Sequence, residues 1–366
     1  MRVSKDFMGL ERAKKQGGRY LNPVPTKLGG FGLVFKVLPL YLRNKAEAEP
    51  KVPLGPFRTD VRVYRRPPKS GLRVTWFGHS SMLLEIDGAR ILIDPVWEER
   101  ASPLQWFGPQ RFFPPTMPLE QMPELDAVLI SHDHYDHLGA LTVGRLARMN
   151  VTARAVWVTS AGVGKRLRRF GVPEKRIAEL DWGESTEVAA AELGRSVRVT
   201  AWPSRHFSGR LPWDRFTTLW SSFVIEGPKR RVYFGADSGW WEGFAEIAAQ
   251  YPERLDPEGR DGGRFDLTML EIGAFHPLWS EIHLGPEGAA RAYQAMGGAE
   301  KAGLLMPIHW GMFNLALHGW REPIERLEEL AARDGARLWT PEPGVPTEVV
   351  DGSGQTRWWA DPFRRF

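Results

Sequence analysis

The sequence contains no cysteine. That excludes a disulfide framework, a thiolate metal site and a cysteine nucleophile, and it leaves the redox compartment open. Any bound metal must be held by imidazole and carboxylate, a donor set that suits zinc, iron or manganese. Nor is there a run of the ~20 apolar residues that a membrane span needs. The longest apolar stretch, Phe31 to Leu42, is broken by Lys36 and Pro39. It follows a long basic leader, and the A-x-A site beyond it, Ala46-Glu47-Ala48, is set apart by Arg43, Asn44 and Lys45, a poor pattern for a cleaved signal. Polar low-complexity tracts and short-period repeats are absent too, so long disorder is not expected away from the termini.

What is present is a chain of 366 residues, 42% apolar, long enough for one large domain or two small ones with a real core. The net charge of +5 and pI near 9.4 are within ordinary solubility charge, although they favour anionic partners such as phospholipid, nucleic acid or a phosphorylated small molecule. Sixteen tryptophans suit surfaces that are part apolar and part wet. Residues 1–70 are basic and rich in Pro and Gly, ending in Arg65-Arg66-Pro67-Pro68-Lys69-Ser70. They read as an arm wrapped around a single main domain over 71–366. Within the arm, residues 31–42 are apolar almost all round and must be covered by something. The sandwich itself, a homodimer interface or a bilayer surface would serve, the last with Lys27, Lys36, Arg43 and Lys45 meeting anionic head groups. The expected location is cytoplasmic, peripheral on the inner membrane in the third case.

From Leu72 onward the pattern becomes that of short strands. Leu72–Phe77, Met82–Ile86 and Arg90–Ile93 are split by Gly78 and by Asp87-Gly88, a hairpin signal. Further strands are predicted at Ala127–Ile130, Ala155–Val158, Val197–Trp202, Leu219–Ile225, Arg231–Phe234, Leu267–Glu271 and Leu304–Ile308. Helices are predicted from Leu138 to Met149 and over Gly162–Phe170, Gly243–Gln250, Pro286–Ala295 and Pro323–Arg333. Hairpins first and strand–helix alternation later in both halves predict an α/β fold of two mixed sheets packed face to face with helices outside, a four-layer αββα sandwich.

The histidines carry the chemistry. Three of nine fall in Ser131-His132-Asp133-His134-Tyr135-Asp136-His137-Leu138-Gly139, directly after a predicted strand. Positions 132, 134 and 137 cannot share a helix face, so the segment must curl as a loop. Such a loop can aim His132 and His134 at one ion while Asp136 and His137 turn toward a second. His206, Asp237 and His309 follow three later strands. Each alone could equally cap or fill a core. Together they complete two shells: His132, His134, His206 and Asp237 around one ion, and Asp136, His137, His309 and the same Asp237 around the other. A shared carboxylate is what a two-metal site needs to hold ions ~3.5–4 Å apart with a hydroxide between them.

The H-x-H-x-D-H loop, the later His206, the Gly235-Ala236-Asp237-Ser238-Gly239 turn and His309 resemble the metallo-β-lactamase fold superfamily. Within it the chain is similar to the N-acyl-phosphatidylethanolamine-hydrolysing phospholipase D family. The segments that carry this are Arg19-Tyr20-Leu21-Asn22-Pro23, Thr75-Trp76-Phe77-Gly78-His79-Ser80-Ser81, Arg100–Arg111, Ser131–Gly139, Phe234–Gly239, Ile272-Gly273-Ala274 and Ile308-His309-Trp310-Gly311. The resemblance spans almost the whole chain. It implies two zinc ions, with iron or manganese as alternatives, on the ligands just named, and Asp94 as the carboxylate that fixes a ligand histidine's tautomer. It also implies that Tyr135 and His283 face the substrate phosphate, with Asp237 and His283 in catalytic roles. One departure stands out: the family can carry a basic residue three after the His206 position, where this chain has Gly209 followed by Arg210. His79 reads as a buried, hydrogen-bonded histidine rather than a ligand, His276 as a loop residue that could line the cleft, and His318 as a surface residue.

The function expected is phosphodiester hydrolysis of phospholipase D type on a phospholipid. A lactonase or carboxyl-ester hydrolase of the same fold is the alternative. A nuclease is disfavoured, and no nucleic-acid partner is expected, because no groove of interleaved arginines and aromatics is evident.

Overall fold

The computed structural model describes residues 3–5, 12–28, 39, 47–190, 194–255, 261–350 and 352–360. In chain order the principal strands are β1 (Val3–Lys5), β2 (Leu72–Gly78), β3 (Ser81–Ile86), β4 (Ala89–Ile93), β5 (Ala127–Ile130), β6 (Val156–Ser160) and β7 (Ile177–Leu180). They continue as β8 (Glu184–Ala190), β9 (Arg195–Trp202), β10 (Ser222–Glu226), β11 (Arg231–Phe234), β12 (Leu267–Glu271), β13 (Leu304–Ile308) and β14 (Thr347–Glu348). The principal helices are α1 (Ala140–Leu146), α2 (Gly164–Arg169), α3 (Gly243–Ala249), α4 (Gly285–Ala295) and α5 (Glu322–Asp334).

Two seven-stranded sheets result, in the orders β14-β2-β3-β4-β5-β6-β7 and β1-β8-β9-β10-β11-β12-β13. Each begins antiparallel and ends parallel: β4, β5, β6 and β7 run together in the first, β11, β12 and β13 in the second. The β3–β4 hairpin turns through Asp87 and Gly88, both at positive φ (47° and 92°), as a two-residue turn of this twist requires.

Neighbouring residues of one strand serve different cores. Leu84, Ile91 and Leu129 pack with Val199, Phe223 and Met306 of the other sheet. Leu83, Leu92 and Val128 face the opposite way and pack against Val143 and Leu146 of α1 and Leu167 of α2. Burial on both faces explains why these strands read as unbroken apolar runs rather than alternating ones. With α4 and α5 against the outer face of the second sheet, the architecture is the four-layer αββα sandwich.

Some elements differ from expectation. The strand expected at Leu219–Ile225 begins only at Ser222; Leu219 N–H instead donates to Ala161 O, and Trp220 Nε1–H to Ser204 O. β7 is too short and β8 too polar to stand out in the sequence, and β1 pairs with β8 from far away in sequence. The apolar segment 31–42, apart from Pro39, lies outside the described residues. Among the described residues no helix is long and apolar enough to cross a membrane. Residues 12–28 run close to the strand ends: Tyr20 N–H donates to Phe216 O, and Asn22 Nδ2–H to His206 O at 2.8 Å.

Candidate metal centre

The expected ligands all sit just beyond strand ends, where backbone leaves the sheet and can turn sharply. His79 after β2, Asp94 after β4, Ala236 before Asp237, Ala274 after β12 and His309 after β13 all adopt positive φ, between 40° and 63°. Non-glycine residues rarely adopt this region, and it is tolerated where surrounding structure over-determines it, typically at functional sites. Gly273 shows how tight the packing is, since any Cβ there would overlap the carbonyl oxygen of His309.

Two groups of donors share Asp237. In the first, His132 Nε2 lies 2.9 Å from His134 Nδ1, and His206 Nε2 lies 3.3 Å from the same atom. Asp237 Oδ2 is 3.8 Å from His132 Nε2 and 3.5 Å from His206 Nε2. In the second, Asp237 Oδ1 faces His137 Nε2 at 3.2 Å, and Asp237 Oδ2 faces His309 Nε2 at 3.2 Å. Asp136 Oδ2 closes that group, 3.6 Å from His137 Nε2 and 3.2 Å from His309 Nε2. His79 belongs here as well, its Nε2 3.0 Å from Asp136 Oδ2.

The far side of each ring is tied down, which sets which nitrogen faces inward. Asp94 is fully buried and accepts from His137 Nδ1–H at 2.8 Å, from Ser131 N–H at 2.7 Å and from Ser131 Oγ–H at 2.6 Å. Ser131 Oγ in turn accepts from His132 Nδ1–H at 2.9 Å. His206 Nδ1–H donates to Ile282 O at 2.9 Å.

Charge within the cluster is unbalanced in a telling way. Burial pushes the imidazoles of His132 and His206 well below their ordinary range, and lowers His134, so all three stand as neutral donors. Burial opposes charge on His137 and His309 too, but Asp237 overrides it, holding His137 well above the usual range and His309 at about 10. Asp237 itself is held well below the carboxylate range: burial opposes its ionisation, and the neighbouring His137 and His309 overcome that. His137 Nε2 and Asp237 Oδ1 are buried without a geometrically acceptable hydrogen bond. Buried polar atoms are seldom left so, and here they point at each other across a space lined with metal-binding donors. The donor set fits two divalent cations without any sulfur ligand.

A third grouping had not been anticipated. Glu271, the last residue of β12, is completely buried. Its Oε1 accepts from Ser238 N–H (2.8 Å) and Leu284 N–H (3.1 Å), and its Oε2 from His283 Nδ1–H (2.7 Å). Burial raises its pKa, opposed chiefly by His283. With Asp237 and His309 these two residues form a further cluster of donors. Among the other expectations, Tyr135 does not line the central cavity; its hydroxyl donates to Arg210 O at 3.1 Å and its ring lies under the Arg210 guanidinium, 3.8 Å away. His276 accepts from Leu278 N–H and stacks near Trp279. His318, expected at the surface, is half-buried against Phe275 with rings 4.7 Å apart.

The centre opens into a cavity of about 270 Å³. His134, Asp136, His206, Asp237, His283 and His309 form its floor, with Leu28, Phe207, Trp279, Ile282 and Leu315 as apolar wall and Arg215 as its cation.

Residues 89–310, more than half of the chain, match the model of the β-lactamase superfamily domain. The chain belongs to the metallo-β-lactamase superfamily. It is 46% identical to an uncharacterized protein of Mycobacterium tuberculosis over 79% of this chain and 72% of that one. It is 34% identical to N-acyl-phosphatidylethanolamine-hydrolyzing phospholipase D 1 of Caenorhabditis elegans over 72% of this chain and 70% of the relative. In fold it is similar to a metallo hydrolase of the archaeon Ignicoccus hospitalis, with a TM-score of 0.52 at 20% identity, covering 75% of this chain and 97% of that one. This chain of the metallo-β-lactamase superfamily is therefore a metal-dependent hydrolase with N-acyl-phosphatidylethanolamine-hydrolysing phospholipases D among its relatives, and its buried His/Asp clusters are its candidate metal sites.

Proposed function

We propose that this hydrolase is a binuclear, zinc-type phosphodiesterase of phospholipase D class, acting on N-acyl-phosphatidylethanolamine-like phospholipids. The observation that carries the reading is Asp237. Its two carboxylate oxygens face His137 and His309 on one side and His132 and His206 on the other, at 3.2–3.8 Å. His132, His134 and His206 would hold one ion, Asp136, His137 and His309 the other, and Asp237 both. When bound, such a pair supplies Lewis acidity toward phosphoryl oxygen and brings the pKa of a water near neutrality.

The chain's own residues supply the rest. Asp94 and Ser131 keep Nε2 of His137 and His132 turned inward. Glu271 takes His283 Nδ1–H, so His283 Nε2 is the ring nitrogen left to exchange a proton beside the cavity. In the reaction, water's oxygen forms a bond to phosphorus, and the bond from phosphorus to the head-group oxygen breaks. The departing alkoxide takes a proton from His283, and water's released proton restores it. A phosphatidate and an N-acylethanolamine result, so atoms and charge balance. Similarity to the Caenorhabditis elegans phospholipase supports the substrate class, and the apolar wall of Phe207, Ile282 and Leu315 suits a lipid's glycerol and acyl region.

The test is a turnover panel on metal-replete protein, comparing an N-acyl-phosphatidylethanolamine, bis-p-nitrophenyl phosphate and a homoserine lactone. Hydrolysis of both phosphodiesters ahead of the lactone is expected. Preference for the lactone would move the chain to the carboxyl-ester hydrolases of the fold.

A further inference from the structure

Arg215 is the cation that lines the catalytic cavity, and it has no carboxylate partner among the described residues. Its neighbours are otherwise committed. Arg205 pairs with Glu281 at 2.6 Å, and Arg166 with Asp133 and Asp214. Arg210, the first basic residue after His206 in sequence, is turned into the fold. Its guanidinium donates to Asp133 O (3.0 Å) and Leu138 O (2.8 Å), bracing the very loop that carries His132 to His137. Its Nη1 is thereby committed to the fold rather than to the cavity.

The position of Arg215 is built rather than incidental. Its carbonyl accepts from the Arg19 guanidinium, and Phe216 N–H beside it donates to Ser208 O at 3.0 Å. Asp214 accepts from Arg210 N–H and Leu211 N–H and pairs with Arg166, closing the loop at its base. Gly209 lies at φ 124°, where a Cβ would stand 2.8 Å from Arg215 Cα, so the two backbones touch. The Arg215 guanidinium carbon lies 5.6 Å from the Phe207 ring, and that ring packs on His134 (4.5 Å) and His206 (4.8 Å). A guanidinium with no carboxylate partner among the described residues thus lies one aromatic ring away from two of the proposed ligands.

We infer that Arg215 is the anion-recognising residue of this site, the group that makes it select phosphodiester monoanions over neutral esters. The inference rests on the phosphodiesterase reading. A planar guanidinium matches two oxygens of one phosphate bidentately, and its charge-assisted bonds are stronger than neutral ones. A carboxylic ester or lactone offers no such anion, so the interaction discriminates between classes of substrate sharing one hydrolytic centre.

The experiment compares wild type, Arg215→Ala and Arg215→Lys as metal-replete proteins, with metal content measured for each. Two readouts are taken: kcat and KM for bis-p-nitrophenyl phosphate against p-nitrophenyl acetate, and the dissociation constant of inorganic phosphate by calorimetry. Losing a charged hydrogen-bonding contact should cut the diester-to-ester ratio of kcat/KM by ~10–100-fold, mainly through KM, and weaken phosphate binding by a similar factor. Metal content should be retained, and Lys should restore part of both losses. An unchanged ratio together with unchanged phosphate affinity in Arg215→Ala overturns the inference, as does a wild type that binds no phosphate. If the wild type hydrolyses no phosphodiester yet binds phosphate through Arg215, the proposed function falls and the anion-recognition role stands.

Discussion

Asp94→Asn is the sharpest probe of how this centre is wired. The carboxylate accepts three hydrogen bonds, with Oδ1 serving Ser131 N–H and Oδ2 serving both Ser131 Oγ–H and His137 Nδ1–H. An amide keeps the acceptor on one side only. With its oxygen on Ser131 N–H, its NH2 faces Ser131 Oγ and His137 Nδ1. Ser131 Oγ adapts, because a hydroxyl has two lone pairs and can accept from the new amide and from His132 Nδ1–H together. His137 cannot adapt without moving its proton to Nε2, the atom 3.2 Å from Asp237 Oδ1 that should bind metal. The two sites should therefore respond unequally. The ion held by His137 should bind ~10–100-fold more weakly, the usual cost of losing such a support, while the ion held by His132 is largely kept. Chelator competition followed by elemental analysis measures each step. Equal loss of both ions, or loss of neither, would refute the chain of hydrogen bonds on which this reasoning depends.

Three further outcomes are expected. Asp237→Asn should weaken both metal sites, whereas His309→Ala should empty mainly the site it shares with His137; identical stoichiometry in the two variants, again by elemental analysis, would contradict a bridging role. His283→Ala should lower kcat/KM by ~10²–10⁴ while retaining both ions, since it removes a proton-transfer group outside the proposed ligand set; metal loss in that variant would instead make His283 a ligand. Gly273→Ala should displace the carbonyl of His309, costing ~1–3 kcal/mol of overpacking and lowering occupancy of the His309 site, both readable from calorimetry and metal content.

The parts of the centre that could be read from sequence share a property. His132 to His137 form a dense run of metal-binding residue types, and His206, Asp237 and His309 each follow an apolar strand whose end is visible in the pattern of residues. Glu271 was hidden because it terminates β12: as a boundary residue it looks like ordinary strand-end polarity, and only its complete burial shows that it must be serving partners. Arg210 and Arg215 illustrate the opposite difficulty. Proximity to His206 in sequence favours Arg210, but a loop that reverses through Gly209 turns the nearer guanidinium inward and carries the farther one to the cavity. Tyr135 lies between two histidine and aspartate donors in sequence, yet curling of the loop sends its hydroxyl to Arg210 O. His79 illustrates a choice that residue type cannot make: it is buried and hydrogen-bonded, and its partner is the candidate ligand Asp136.

Stability and function are divided between different parts of the same sandwich. The centre is locally unfavourable: five non-glycine residues around it hold positive φ, at about 1–3 kcal/mol each where the region is disfavoured, and His137 Nε2 and Asp237 Oδ1 are buried without an adequate hydrogen bond. None of this could persist in a small or loosely packed domain. It persists here because both faces of the first sheet are buried, and because the strands bearing His137, Asp237 and His309 run in the interior or at the covered edge of seven-stranded sheets. The strand ends are thereby fixed before any ligand arrives, and side chains that would otherwise separate, such as Asp136 and Asp237, are held facing one another's histidines. Cation binding then satisfies the donors that folding left exposed to each other, so the free energy of binding adds directly to that of the fold. That is why donors in these candidate metal sites can be arranged for cations rather than for their own mutual satisfaction.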